Sequence, residues 1–191
     1  FTLRPVRVHW FPPTKYHDRR VSVAISKILV ANRGEIAVRV FRTAKALGLK
    51  TVAVYSDADA NAIHKNIADE AVHIGGSTPA ESYLNAERIL EAARLTGADA
   101  IHPGYGFLSE RAEFSEACTA AGITFIGPPA SAMLLLGAKI DAKRIAVENN
   151  VPITPGYFLP GATDSHRSEA AQTLEYPIML KASAGGGGRG M

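Results

Sequence analysis

The sequence predicts an α/β protein built on an open, mainly parallel, doubly wound sheet, followed by the start of a second domain. Three observations predict it. From Ser26 onward, short apolar runs alternate with stretches of helical periodicity. Helical stretches stop at glycines, namely Gly48, Gly97 and Gly122. Near the end, Pro177-Ile178-Met179-Leu180 reads as a strand that runs through Lys181 into a glycine-rich loop.

The elements follow in order. Ile28-Leu29-Val30-Ala31 is a short, wholly apolar run, as expected of a strand buried on both faces. A turn at Asn32-Arg33-Gly34 leads to a helix over 35–47, with Ile36, Val40, Ala44 and Leu47 on one face and Gly48 as its stop. Thr51 to Tyr55 reads as the second strand, 61–70 as a weaker helix and 71–74 as a short strand. Ser82 is the expected cap of a helix that carries Leu84, Ile89, Leu90 and Ala93 and stops at Gly97. Asp99 to His102 reads as a strand. Ser109 is the expected cap of the helix holding Phe114, Ala117 and Cys118, and 123–126 as the next strand. Pro129 suits the first turn of a helix that ends near Gly137, and another helix follows over 139–149. The Pro- and Gly-rich residues 151–165 read as a crossing segment, with helical character again over 168–175. The expected division is 1–24 leader, 25–138 first α/β domain, 139–191 start of a second domain.

Bulk composition removes several classes. The 191 residues are 47% hydrophobic and 20% charged, which is enough apolar chain for a full core. The formal net charge of +3 is small and unclustered over most of the chain, so nucleic acid is not an expected partner. No apolar run reaches the roughly 18 residues that span a bilayer, so no membrane partner is expected. Cys118 stands alone on an amphipathic helix and reads as a buried thiol; with one cysteine no intrachain disulfide can form, which fits a reducing compartment. Residues 1–24 differ: Arg4, Arg7, Lys15, Arg19 and Arg20 face only Asp18, and Pro5, Pro12 and Pro13 interrupt any helix. They read as a disordered or non-native leader, or as an Arg-rich organelle transit segment whose prolines and scarce serine weigh against it.

Four places carry candidate chemistry. Asn32-Arg33-Gly34-Glu35 sits where a dinucleotide fold has three glycines, but only Gly34 is present, so no NAD or FAD fingerprint exists. Asp57 and Asp59 end the second strand and, without those glycines, read as loop or cap residues. The loop His102-Pro103-Gly104-Tyr105-Gly106-Phe107-Leu108-Ser109-Glu110 has two readings. Its glycines let backbone approach a ligand closely, or it is a tight turn with Tyr105 and Phe107 plugging the core. His102 beside it reads as a hydrogen-bonded structural histidine. The loop Lys181-Ala182-Ser183-Ala184-Gly185-Gly186-Gly187-Gly188-Arg189-Gly190 lacks the GxxxxGK[ST] order, since its lysine precedes the glycines. Successive backbone N–H groups can nonetheless close around phosphate oxygens, with Lys181 as a point charge. The chain starts at Phe1 rather than Met and stops one residue after Gly190, and is expected to be the front part of a larger nucleotide-using enzyme.

These residues, in this order, resemble the biotin carboxylases. The resemblance runs over about residues 26–191. It rests on Lys27 to Ala37, Ala68-Asp69-Glu70-Ala71, Ser82-Tyr83-Leu84-Asn85, His102 to Glu110, Phe125-Ile126-Gly127-Pro128 and the glycine loop. It implies a Rossmann-like domain that precedes an ATP-grasp domain. It also implies a reaction in which MgATP activates bicarbonate as carboxyphosphate, and the CO2 released carboxylates the ureido nitrogen of carrier-bound biotin. By the resemblance, Lys139 contacts the nucleotide, Lys181 is a phosphate ligand, and Gly185, Gly186, Gly187 and Gly188 close over the phosphates. Tyr105 and Gly106 face the biotin and bicarbonate pocket, with Glu110 beside it. The Mg2+ ligands, the biotin-handling arginine and the base for bicarbonate are implied to lie outside these 191 residues, so that this piece alone is expected to be inactive.

The sequence departs from the family at Ala138, where an acid is usual, at Arg111, where asparagine is usual, and at Ala184, where many members have glycine. The implied partners are a biotin carboxyl carrier domain or protein, a carboxyltransferase component and a second copy, with Arg39 and Arg42 as candidate dimer residues or a solvated helix face. The expected location is the cytoplasm, with the mitochondrial matrix as the alternative. Two rival readings are another ATP-grasp ligase of the carbamoyl phosphate synthetase type, and a non-catalytic binding or dimerisation module.

Overall fold

The computed structural model describes residues 25–137, 139–157, 161–174 and 176–180. Strand β1 (Lys27–Val30) is followed by helix α1 (Gly34–Ala46), β2 (Lys50–Tyr55), α2 (Ile63–Ile67), β3 (Glu70–His73), α3 (Ala86–Thr96), β4 (Ala100–His102), α4 (Ala112–Ala120) and β5 (Thr124–Phe125). Beyond the sheet come α5 (Ala130–Leu136), α6 (Lys139–Glu148) and α7 (Asp164–Thr173). The five strands pair in the order β3-β2-β1-β4-β5, every pair parallel. The chain therefore winds outward from β1 in one direction through β2 and β3, then in the other through β4 and β5. This is the doubly wound sheet that the alternation predicts, with its switch point between β1 and β4.

Strand alternation divides the apolar residues into two cores. Ile28, Val30, Ala53 and Ala100 point to the α1 side with Ala37 and Phe41. Leu29, Val52, Val54 and Ile101 point to the other side with Ile89, Phe114 and Cys118. Burial on both faces explains why β1 contains no polar residue after Lys27. At the strand starts two carboxylates tie the sheet's near edge. Asp69 accepts from the Thr51 backbone N and Oγ1, both at 2.8 Å, and Asp99 accepts from the Ser26 backbone N at 2.9 Å and the Lys27 N at 3.1 Å. Among the described residues no helix is long and apolar enough to cross a membrane.

Several expected boundaries move. The α3 cap is Asn85, whose side chain accepts from the Arg88 N at 3.1 Å. Ser82 is instead buried, and its Oγ donates to the Thr78 carbonyl at 2.7 Å in a short 3-10 turn. Arg111, not Ser109, precedes α4, without a side-chain cap. The helix expected over 61–70 contracts to α2, because β3 pairing with β2 begins at Glu70. The final helix covers Asp164–Thr173, where Thr163 supplies a capping box with His166, rather than 168–175. Ile178, Met179 and Leu180 have no strand pairing among the described residues.

Candidate functional site

In a doubly wound sheet the crevice for ligands opens where the winding reverses, beyond the carboxyl ends of the strands. Here the loops after β1 and β4 meet at that place. Asn32 lies two residues past the end of β1 and is fully buried. Its Nδ2 donates to the Pro103 carbonyl at 2.9 Å and to the Tyr105 carbonyl at 3.0 Å, while its Oδ1 accepts from the Arg33 N at 2.9 Å. One side chain thus pairs the buried Pro103 carbonyl and the part-buried Tyr105 carbonyl of the β4–α4 loop. Gly104 passes close over it: at φ +66°, an added Cβ would lie 2.7 Å from both Asn32 Nδ2 and Ile36 Cγ2. The Gly104 N donates to His102 Nδ1 at 3.0 Å, which leaves the neutral ring's proton on Nε2. Burial pushes the His102 pKa down, in keeping with a neutral ring. His102 has the structural role expected of it.

The backbone returns to the left-handed region at Gly106 (φ 74°) and Phe107 (φ 44°), the latter unusual for a residue with a Cβ. Phe107 is held there by a stack on Tyr83, with ring centroids 5.0 Å apart and an interplanar angle of 13°. The Arg33 guanidinium lies over both rings, at 5.6 and 5.8 Å, and pairs with Asp59 at 3.4 Å. Asp59 also accepts from Tyr83 Oη at 2.8 Å and Ser56 Oγ at 2.9 Å. Burial alone would raise the Asp59 pKa; the Tyr83 and Ser56 hydrogen bonds and the Arg33 charge outweigh it and hold the group below the ordinary value. Burial, then the bond to Asp59, pushes the Tyr83 phenol far up. Asp59 therefore carries a structural load, and it does so from a short 3-10 turn over Asp57–Asp59 rather than from a loop or cap.

Of the two core-plug residues that one reading of the loop expects, only Phe107 packs inward. Tyr105 is 60% exposed, and its hydroxyl donates to a carboxylate oxygen of Glu35 in the first turn of α1. The bond to Glu35 raises the phenol pKa, with Arg39 opposing it, so Tyr105 stays protonated near neutrality. Tyr105 and Gly104 form one end of a groove of about 390 Å³ that runs along α1 past Ile36, Arg39 and Val40 toward Ile126. Tyr105, Gly106 and Glu110 thus share one loop at the switch point, with Tyr105, Gly106 and Glu110 all exposed. Lys139 is not on that loop; it is the first residue of α6. Lys181 and Gly185, Gly186, Gly187 and Gly188 lie outside the described residues. Cys118 is buried and its thiol is pushed up to about 11 by burial, which fits the buried thiol expected from its helix. Among the described residues no three His, Cys, Asp or Glu side chains cluster as metal ligands would.

Asn32, Arg33 and Glu35 were legible as a motif but not as parts of this site. The available signal was their position: three polar residues directly after an apolar strand at the centre of the sheet.

Residues 24–133 match the family described as biotin carboxylase, N-terminal domain. The chain belongs to the biotin carboxylase family. Residues 138–191 match the ATP-binding domain described for the carbamoyl-phosphate synthase L chain. The chain is 54% identical over 167 residues to the mitochondrial methylcrotonoyl-CoA carboxylase subunit alpha of Arabidopsis thaliana, and 51% identical over 166 residues to the propionyl-CoA carboxylase alpha chain of Ruegeria pomeroyi. These alignments take in 87% of this chain but only 23% and 24% of the relatives, so the chain spans about a quarter of their length. It corresponds to the N-terminal biotin carboxylase region of such biotin-dependent carboxylases. Among solved structures, the biotin carboxylase of Campylobacter jejuni in complex with β,γ-ATP superposes with a TM-score of 0.82 at 47% identity, over 86% of this chain and 37% of that one. The biotin carboxylase domain dimer of the Hydrogenobacter thermophilus 2-oxoglutarate carboxylase, solved with MgADP, ADP and bicarbonate, gives 0.79 at 48% identity, over 86% and 36%.

Proposed function

We propose that this chain supplies the first domain and the beginning of the ATP-grasp domain of a biotin carboxylase. The reaction would use ATP, Mg2+ and bicarbonate to carboxylate biotin on a carrier domain or protein. The carboxyl group would then pass to an acceptor through a carboxyltransferase component. The observation that carries this is the 0.82 superposition on a nucleotide-bound biotin carboxylase at 47% identity, through a fold whose switch-point loop holds Tyr105 and Gly106. In this reading Tyr105 and Gly106 border the biotin and bicarbonate pocket and Glu110 stands beside it. Lys139, Lys181 and the glycines 185–188 hold the nucleotide. Lysine ammonium groups and loop N–H groups would offset the charge on the phosphates as bicarbonate attacks the terminal phosphoryl group and ADP leaves. Mg2+ would supply further positive charge to the phosphates, and its ligands would lie outside the described residues.

A homodimer is part of this reading, with Arg39 and Arg42 exposed on α1 and a dimeric domain among the structural neighbours. For location, the cytoplasm and the mitochondrial matrix both stand. The match to the mouse mitochondrial methylcrotonoyl-CoA carboxylase subunit alpha extends over 99% of this chain, hence into residues 1–24, and favours the matrix.

The test is bicarbonate-dependent phosphate release from ATP by the full-length protein, with incorporation of labelled bicarbonate into free biotin. Lys139→Ala is expected to raise the KM for ATP by about tenfold or more. Residues 1–191 expressed alone are expected to show no bicarbonate-dependent turnover. ATP turnover by the full-length protein that ignores both bicarbonate and biotin would sink this reading in favour of another ATP-grasp ligase.

A further inference from the structure

The Asn32-Arg33-Gly34-Glu35 turn has no part in the chemistry above, yet two of its side chains hold the two ends of one site residue. Asn32 Nδ2 fixes the Tyr105 carbonyl at 3.0 Å, and a Glu35 carboxylate oxygen accepts from the Tyr105 hydroxyl. Local geometry brings both about. Arg33 is extended, and Gly34, at φ +58°, starts α1 at once. This puts Glu35 in the first helical turn on the side of the β4–α4 loop. Across the loop, Gly104 allows the close pass over Asn32 that a Cβ would block.

We propose that Glu35 is a positioning residue for biotin carboxylation, acting through Tyr105, whose ring it anchors by the hydroxyl while Asn32 anchors the backbone. An exposed tyrosine without such an anchor samples several rotamers, and a group that borders a reacting centre loses effect when its position is not fixed. Among the described residues, Glu35 and Arg39 act on the phenol electrostatically, and His102 lines the same groove. Glu35 is the acceptor, so the phenol stays protonated and keeps one orientation. The inference rests on the carboxylase reading given above.

The experiment uses the full-length protein with free biotin as acceptor. Glu35→Ala is expected to lower kcat/KM for biotin about tenfold while the KM for ATP stays unchanged. Glu35→Gln, whose amide oxygen still accepts from a phenol, is expected to stay within about threefold of the unaltered protein. Tyr105→Phe combined with Glu35→Ala is expected to be no worse than the poorer single variant, because both remove one hydrogen bond. As a readout independent of turnover, the tyrosine absorbance step that Tyr105→Phe removes is expected to move down toward about pH 10 in Glu35→Ala. An unmoved step overturns the inference. So do losses that multiply in the double variant, a parallel change in the KM for ATP, or a Glu35→Ala protein with unaltered kinetics. Absence of biotin-dependent turnover in the unaltered protein overturns the carboxylase reading and this inference with it.

Discussion

Asn32 shows how much a single amide holds when it sits at the switch point. It is fully buried and makes three hydrogen bonds, two of them to the carbonyls of Pro103 and Tyr105. Asn32→Ala would remove this donor from the buried Pro103 carbonyl, at about 1–3 kcal/mol for a fully desolvated group, and from the part-buried Tyr105 carbonyl at less. We expect a loss of about 2–4 kcal/mol in urea unfolding, and no recovery with Asn32→Asp, whose carboxylate cannot donate. Gly104→Ala is expected to cost about 1–3 kcal/mol, since its Cβ would meet Asn32 Nδ2 and Ile36 Cγ2 at 2.7 Å and its φ is +66°. The glycines of this loop were visible in the sequence as points of close approach. That Gly104 approaches Asn32, more than 70 residues earlier, was not, because no spacing rule links residues brought together by strand pairing.

At the level of the element, α1 departs most instructively from expectation. Periodicity points to Ile36, Val40, Ala44 and Leu47 as its core face; the helix buries Ala37, Phe41 and Ala44 instead. The two stripes share Ala44, and their centres differ by a rotation of about 70°. Apolar residues line both, so the sequence alone does not choose between them. The sheet chooses, by presenting Ile28, Val30 and Ala53 to Phe41, while Leu47 remains 70% exposed and Ile36 and Val40 line the groove. Phe41→Ala is therefore expected to destabilise by about 3–5 kcal/mol, and Leu47→Ala by no more than about 0.5 kcal/mol, in chemical denaturation. The caps of α3 and α4 teach a related lesson. Ser82 and Ser109 are good caps by type, but a short 3-10 turn and the β4–α4 loop occupy those positions, and the chain enters α3 at Asn85. Asn85→Ala is expected to cost about 1 kcal/mol, and Ser109→Ala less.

For the whole molecule, the polar ties predict how stability depends on pH. Thr51 hydrogen bonds hold Asp69 below the ordinary carboxylate value. For Asp99, burial raises the pKa but the Ser26 and Lys27 hydrogen bonds outweigh it; Asp59 is lowered in the same way by Tyr83, Ser56 and Arg33. Groups lowered in the folded state stabilise it above their unfolded value of about 3.9, and that contribution is lost as pH falls further. His102 adds an earlier limb. Burial lowers its pKa, so the unfolded chain takes up a proton first, near pH 6.5, and folded stability falls from there downward. The urea midpoint is expected to decline below about pH 6.5 and then more steeply below about pH 4. In His102→Gln the first decline should shrink by the His102 share; an identical slope in both proteins would refute that assignment.

The order of strands and helices, the doubly wound class and the likeness to biotin carboxylases were all legible in the sequence by itself. Burial on two faces forces β1 to be apolar throughout, local glycine stops delimit helices, and the loop after β4 carries its glycines in plain view. Those are properties of residues near one another in the chain. Tertiary structure alone decided which stripe of α1 is buried, that Tyr105 stays exposed while Phe107 stacks on Tyr83, and that Asn32, after β1, and Glu35, in the first turn of α1, hold Tyr105 from another part of the chain. Each of these depends on strand pairing between distant residues, β1 with β2 under α1 and β1 with β4 at the switch point, which no local periodicity encodes.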